Sequence, residues 1–217
     1  GVRPLTHIPE RWLLKWSYRS AKHIVVPSAF TREKIHEYAK AAYPIDIIHN
    51  GVNFLRFQQK HDCIALRQQY AGRTILMTIG ALIGRKGHDL VLRALARIVP
   101  EEPHLLYLIV GDGNTRQTLE ALVDELHLQR HVEFCGERTG DDLVTLLQCA
   151  DIYVHTPKYS HGKFEGFGIV YLEAGACGKP VIATDAGGVR DAILDGRTGI
   201  IVPDGDIPAI AHAIQGL

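Results

Sequence analysis

The 217-residue chain is 46% hydrophobic and 22% charged, and 24 Lys and Arg balance 24 Asp and Glu to a formal charge of zero. That balance argues against a nucleic-acid stripe or a polybasic membrane patch. No apolar run reaches the roughly 20 residues that span a bilayer, and the N-terminal GVRPLTHIPERWLLKW lacks the apolar segment of a signal peptide. The four cysteines, Cys63, Cys135, Cys149 and Cys177, include no Cys-x-x-Cys pair. They read as reduced core thiols of a cytoplasmic protein, with no metal site. The twelve histidines are scattered. His155 and His161 are the closest loop pair, at a spacing that matches no common ligand pattern, and read as surface or satisfied core residues.

Apolar runs rich in Val and Ile alternate with helix-period segments. In chain order the expected strands cover 23–28, 45–50, 74–80, 104–113, 132–136, 151–157, 180–184 and 199–203. The expected helices lie near 29–41, 62–70, 87–98, 115–127, 140–149, 168–177, 187–195 and 206–215. This alternation predicts an α/β fold, a Rossmann-like parallel sheet with helices on both faces. Several runs are apolar throughout, as strands covered on both sides should be.

One break interrupts the pattern. Asn50-Gly51 marks a turn and the polar stretch 56–62 reads as a linker. Residues 56–217 then form a domain of ordinary size, ending within its last helix. Residues 1–55 hold too little to bury a core alone and read as the tail of a preceding domain plus the connection.

Four stretches could carry chemistry. In LIVGDGNTRQTLEALV a strand runs through Gly-x-Gly into a helix, but Arg116 stands where a dinucleotide fingerprint needs its third glycine. In GALIGRKGHDLVLRAL, Arg85 and Lys86 sit at a helix start, where cations conflict with the macrodipole unless an anion binds there. DAGGVRDAILDGRTGIIVPDGD has sufficient geometric reasons for its glycines. The most informative stretch is KFEGFGIVYLEAGACGKPVIA, residues 163–183. Glu165 precedes a Gly-Phe-Gly turn, where an N-terminal cap is its plain role. Glu173 falls about one turn inside an apolar helix, where a carboxylate needs partners: Lys179, Arg190 or a ligand's hydroxyls. Together they make a surface for a ligand that carries both hydroxyls and phosphates. The carboxylates would accept from the hydroxyls, and the N–H groups of Gly166, Phe167, Gly168 and Ile169 would donate to the phosphates.

The order Gly80…Arg85-Lys86-Gly87, GDG, FCGE, EGFGIVYLEAGACGKPVIATDAGG and DGRTGIIVPDGD resembles the C-terminal, donor-binding half of retaining GT-B glycosyltransferases of family 4. EGFGIVYLEA is especially similar to mannosyltransferases acting on phosphatidylinositol. IIHNGVNFLRF looks like the segment between the two domains.

The resemblance implies transfer of a mannose- or glucose-type hexose from a GDP- or UDP-sugar to an acceptor hydroxyl, with the anomeric configuration retained. It gives Glu165 the donor sugar's hydroxyls, Glu173 the ribose, and Gly166 to Ile169 the sugar and diphosphate. Lys86 would neutralise the leaving diphosphate, and Arg138 and Thr139 would border the base. No cofactor and no metal are required. The family has an arginine after the glycine at position 80, where this chain has Ala81; the hypothesis here is that Arg85 supplies that guanidinium. The acceptor, a glycan or a lipid-linked molecule, would bind the N-terminal half, so this chain is expected to bind donor but transfer poorly alone. The implied full-length enzyme is cytoplasmic, with room for peripheral membrane association. A nucleotide-sugar binding or assembly module without catalysis, and an epimerase of the same fold, are the alternatives.

Overall fold

The computed structural model describes residues 8–39 and 44–217. Its main body is a six-stranded sheet in which every pairing is parallel. The strands are β3 (Thr74–Ile79), β4 (Leu105–Val110), β5 (Val132–Gly136), β6 (Ile152–His155), β7 (Val181–Thr184) and β8 (Ile200–Val202), in spatial order β5-β4-β3-β6-β7-β8. The chain therefore winds outward from β3 in one direction, returns to β3's other side at β6, and winds outward again. Register confirms the adjacency: Leu76 faces Ile152 and Met77 faces Tyr153.

Side chains alternate across the strands and feed two cores. Leu76, Tyr107 and Ile109 point to the layer of α5 (His88–Ile98), α6 (Arg116–Glu125) and α10 (Ile207–Gln215). Ile75, Met77 and Leu108 point to α7 (Gly140–Cys149), α8 (Ile169–Ala176) and α9 (Val189–Ala192). In α5 the buried His88, Val91, Leu92, Leu95 and Ile98 recur at the spacing of one helical face. The doubly covered Rossmann-like sheet is the expected architecture.

Before it come α1 (Ile8–Ser20), α2 (Ala29–Ala39) and a two-stranded parallel sheet of β1 (Ile24–Val26) and β2 (Ile45–Ile47), with a small core of Ile24, Val26, Ile35 and Ile45. Residues 40 and 41 of the expected second helix lie outside the described residues. No described helix is long and apolar enough to cross a membrane.

Two expectations are corrected. The stretch taken for a linker, 56–62, begins inside α3 (Phe54–Gln58), capped by the Asn53 side chain and anchored by buried Phe57. Gln58 Nε2 donates to the Ala176 carbonyl at 2.7 Å, fixing α3 to the end of α8. The cysteines are not all reduced: Cys63 and Cys149 form a disulfide, while Cys135 and Cys177 are free. Cys63 precedes α4 (Ile64–Gln69) and Cys149 ends α7, and the 86-residue separation hid their proximity. Arg67 and Asp151, 2.6 Å apart, pin the same corner.

Candidate donor site

In an open α/β sheet the crevice outside the carboxyl ends of the strands, where the winding reverses, collects loops from both halves. Here that point lies between β3 and β6. The loop after β3 carries a 3₁₀ turn, Gly84–Lys86, closed by Gly87 at φ 71°. A Cβ at Gly87 would collide with the Thr156 carbonyl oxygen, just beyond β6, so glycine permits this approach. Thr156 Oγ1 donates to the Gly87 carbonyl at 2.7 Å, and the Lys158 N–H donates to the Arg85 carbonyl at 2.8 Å. Lys158 Nζ also pairs with Asp89 Oδ2 at 2.6 Å. The two loops are stitched together, and Arg85 and Lys86 hang over the end of β6.

Glu165 meets them there. Its N–H donates to the Ala186 carbonyl at 2.9 Å, and its carbonyl accepts from the Gly188 N–H at 2.8 Å, so the loop after β7 clamps its backbone. Its Oε2 accepts from Lys86 Nζ at 2.7 Å and Arg85 Nη1 at 3.1 Å. Arg85 Nη1 also donates to the Phe164 carbonyl at 3.2 Å. Within the described chain Glu165 Oε1 makes no hydrogen bond. Burial alone would raise the carboxyl's pKa, but His155 and Lys86 outweigh it and hold the group well below the usual range, ionised at neutral pH.

His155 closes the cluster from below. This last residue of β6 is fully buried, and its Nε2 lies 3.7 Å from Glu165 Oε2. That distance permits attraction but is too long for a hydrogen bond, and neither ring nitrogen has a partner. Burial first, and then the neighbouring Lys86 charge, drive its pKa down, against Glu165's opposing pull. The sequence reading treated His155 as surface or satisfied core. Its position at the carboxyl end of the strand next to β3 was the signal that could have marked it.

Gly166, Phe167 and Gly168 turn the chain into α8. Gly168 is left-handed, φ 84°, and a Cβ on it would strike the Tyr171 ring. Phe167 is buried and stacks on the His49 ring, centroids 5.7 Å apart, while Ile169 is 41% exposed. No side chain caps this helix, which leaves first-turn N–H groups to solvent or a ligand. Glu165 is not the N-cap; Gly168 is.

Glu173 is half-buried and has neither a hydrogen bond nor an ion pair within the described chain. Burial raises its pKa, and the field of Arg56 offsets only part of that. The protein partners expected for it do not serve: Arg190 is bonded to Asp185 at 2.7 and 2.9 Å, and Lys179 stays unpaired with it. Arg138 and Thr139 are exposed in the loop between β5 and α7, at the same edge of the sheet but bonded to none of these groups. The fold thus brings Arg85, Lys86 and Glu165 into contact, adds His155, and leaves Glu173, Arg138 and Thr139 apart from them.

A doubly wound sheet with paired cations and an uncapped helix at its reversal point defines the class of anion-binding α/β domains. Comparison with known proteins narrows this further. Residues 50–217 match the family described as "Glycosyl transferases group 1", and residues 1–55 match "Glycosyltransferase Family 4". The chain belongs to the glycosyl transferases group 1 family. It is 33% identical over 196 residues to a GDP-mannose-dependent alpha-(1-6)-phosphatidylinositol monomannoside mannosyltransferase of Mycolicibacterium smegmatis, covering 88% of this chain and 51% of that protein. It is 35% identical over 187 residues to a D-inositol 3-phosphate glycosyltransferase of a Mycobacterium species, covering 80% of this chain and 39% of that protein. The chain therefore spans about half the length, or less, of these curated relatives. Among solved structures it resembles Anabaena Alr3699/HepE in complex with UDP and glucose, with TM-score 0.85 and 25% identity over 98% of this chain and 57% of that one. It also resembles sucrose-phosphate synthase from Thermosynechococcus elongatus, with TM-score 0.84 and 27% identity over all of this chain and 54% of that one.

Proposed function

We propose that this chain is the donor-binding part of a glycosyltransferase that moves a mannose- or glucose-type hexose from a nucleoside-diphosphate sugar to an acceptor hydroxyl with retention. The observation that carries this reading is the convergence of Arg85, Lys86 and Glu165 where the sheet reverses its winding. Breaking a glycosyl–phosphate bond leaves charge on the diphosphate and cationic character on the sugar. Arg85 and Lys86, gathered by Glu165 at 3.1 and 2.7 Å, are held together at this end of the sheet, where they can turn to the diphosphate and stabilise the first. Glu165, ionised, favours the second through Oε1, which is left to accept from sugar hydroxyls. The N–H groups from Gly166 to Ile169 face the sugar and diphosphate, Glu173 accepts from the ribose, and Arg138 and Thr139 border the base.

The protein cations do the charge stabilisation that a metal performs elsewhere, and no metal is assigned to the step. The acceptor, a glycan or lipid-linked molecule as the mannosyltransferase relative's name suggests, would meet the donor from the side of β1, β2 and α2, and this chain would transfer slowly without a complete acceptor surface. Calorimetry with UDP, GDP and ADP tests the reading. One nucleotide should bind, and Glu173→Ala should weaken it about tenfold or more. Failure of all three to bind overturns the assignment.

A further inference from the structure

We propose that His155 is a positioning residue for donor-sugar recognition, a neutral N–H donor that holds Glu165 in place when Arg85 and Lys86 turn to the diphosphate. The inference rests on the donor-site reading above. All three groups address one oxygen: Arg85 and Lys86 bond to Glu165 Oε2, and His155 Nε2 waits 3.7 Å from it. A diphosphate would compete for both cations. Glu165 would then be a carboxylate in a half-dry pocket facing another anion, and without a replacement donor it would swing away or take up a proton.

The ring is built to be that replacement. It stacks on Tyr153, centroids 6.4 Å apart, and meets Tyr171 edge-on at 5.7 Å. A Cβ at Gly80 would lie 3.8 Å from its Cε1, so the backbone after β3 closes a third side. Confined in this way, the ring has a short path toward Oε2, from 3.7 Å to a hydrogen bond of about 2.9 Å. A fully buried imidazole with both nitrogens unpartnered lowers stability where the rest of β6 carries Ile152, Tyr153 and Val154. Such a local conflict is expected where a residue serves a bound state. The charged and titratable groups around it are Arg85 and Lys86 from the 3₁₀ turn, Glu165 from the loop after β6, His88 from α5, Tyr153 on its own strand and Tyr171 from α8. Burial keeps the imidazole neutral, so it shares the pocket with two cations without repelling them.

The experiment compares His155→Leu and His155→Gln with the parent chain by calorimetry, using UDP with UDP-glucose and GDP with GDP-mannose. Gln keeps a neutral N–H near the Nε2 position, and Leu removes it at similar volume. His155→Leu should lose about ten- to a hundredfold in nucleotide-sugar affinity while the nucleoside diphosphate binds as before, and His155→Gln should retain both. Equal losses for the two ligands, no loss for either, or a Gln variant that loses sugar affinity as the Leu variant does would overturn this role while leaving the donor site standing. A parent chain that binds none of the four ligands overturns the donor-site reading and this inference with it.

Discussion

Lys86 Nζ and Arg85 Nη1 both rest on Glu165 Oε2, at 2.7 and 3.1 Å, so a carboxylate of the protein occupies the cations assigned to the diphosphate. On the proposed donor-site reading Glu165 would be both a competitor of the leaving group and a ligand of the sugar. Glu165→Gln should bind UDP or GDP about threefold to tenfold more tightly, because the cations are released, yet gain nothing further from the attached sugar. Lys86→Ala should weaken the same nucleotide by about tenfold or more. Calorimetry on the two variants checks the opposite signs, and a Gln variant weaker than the parent toward the bare nucleotide would contradict the competition.

The same contact makes stability depend on pH. Burial would raise the Glu165 carboxyl, but His155 and Lys86 hold its folded pKa well below the usual range. A depressed acid binds fewer protons folded than unfolded, so its stabilisation is complete above the unfolded value of about 4.3 and fades as pH falls toward the folded value. Urea midpoints of the parent and of Glu165→Gln, taken from about pH 6 to about pH 3, should move against the parent as acid is added. A constant difference would show that the carboxyl is not depressed by folding.

Arg85 is the residue proposed to stand in for the arginine that the resemblance leads one to expect at position 81. It reaches Glu165 and the Phe164 carbonyl from the 3₁₀ turn, while Ala81 is exposed. Arg85→Ala should weaken nucleotide binding about tenfold, and adding Ala81→Arg should recover most of the loss. Unchanged affinity in Arg85→Ala would remove this residue from the site.

Strand positions were legible because a sheet covered on both faces writes each strand as a short apolar run, as in TILMTI and LLYLIV of β3 and β4. Arg85, Lys86 and Glu165 stood out in the sequence as charges beside glycines at strand-to-helix turns, and the structure brings the three together. Three things were hidden. Phe57 made α3 from a polar stretch by packing on α8, a tertiary contact with no local signature. The Cys63–Cys149 pairing depends on α4 lying against α7, 86 positions away. His155 looked ordinary because a histidine's partners, or their absence, are set by neighbours that the fold brings in from separate turns, loops and helices.

The disulfide offers a stability test independent of ligand. It closes a long loop that contains β3 through α7, and Arg67–Asp151 and the Gln148 bonds to Phe57 and Gln59 hold the same corner. Loop-closure entropy puts an upper value of about 4.6 kcal/mol on such a link, and disulfides typically contribute about 2–4 kcal/mol. Cys63→Ala with Cys149→Ala should lower the urea midpoint accordingly, and peptide mapping without reductant should recover the two cysteines as one linked pair. Nucleotide affinity should not move, since neither sulfur lies at the carboxyl ends of the strands. Equal midpoints for parent and double variant would mean the corner is fixed by its ion pair and hydrogen bonds alone.

Glu173 makes the sharpest separation between holding the fold and serving a ligand. It is half-buried without a hydrogen bond or ion pair in the described chain, and burial raises its pKa against the weaker pull of Arg56. A raised acid binds more protons folded than unfolded, so it costs stability above its folded pKa, and that cost is relieved as pH falls through the folded value. Glu173→Gln removes the charge at constant shape. It should raise the ligand-free urea midpoint at neutral pH and flatten its gain on mild acidification, while weakening the bound nucleotide about tenfold. Stabilisation together with lost affinity would mean that the carboxylate is kept for the ribose hydroxyls at the fold's expense. A variant that is destabilised and binds normally would show that this acid serves the protein alone, and the ribose would need another acceptor.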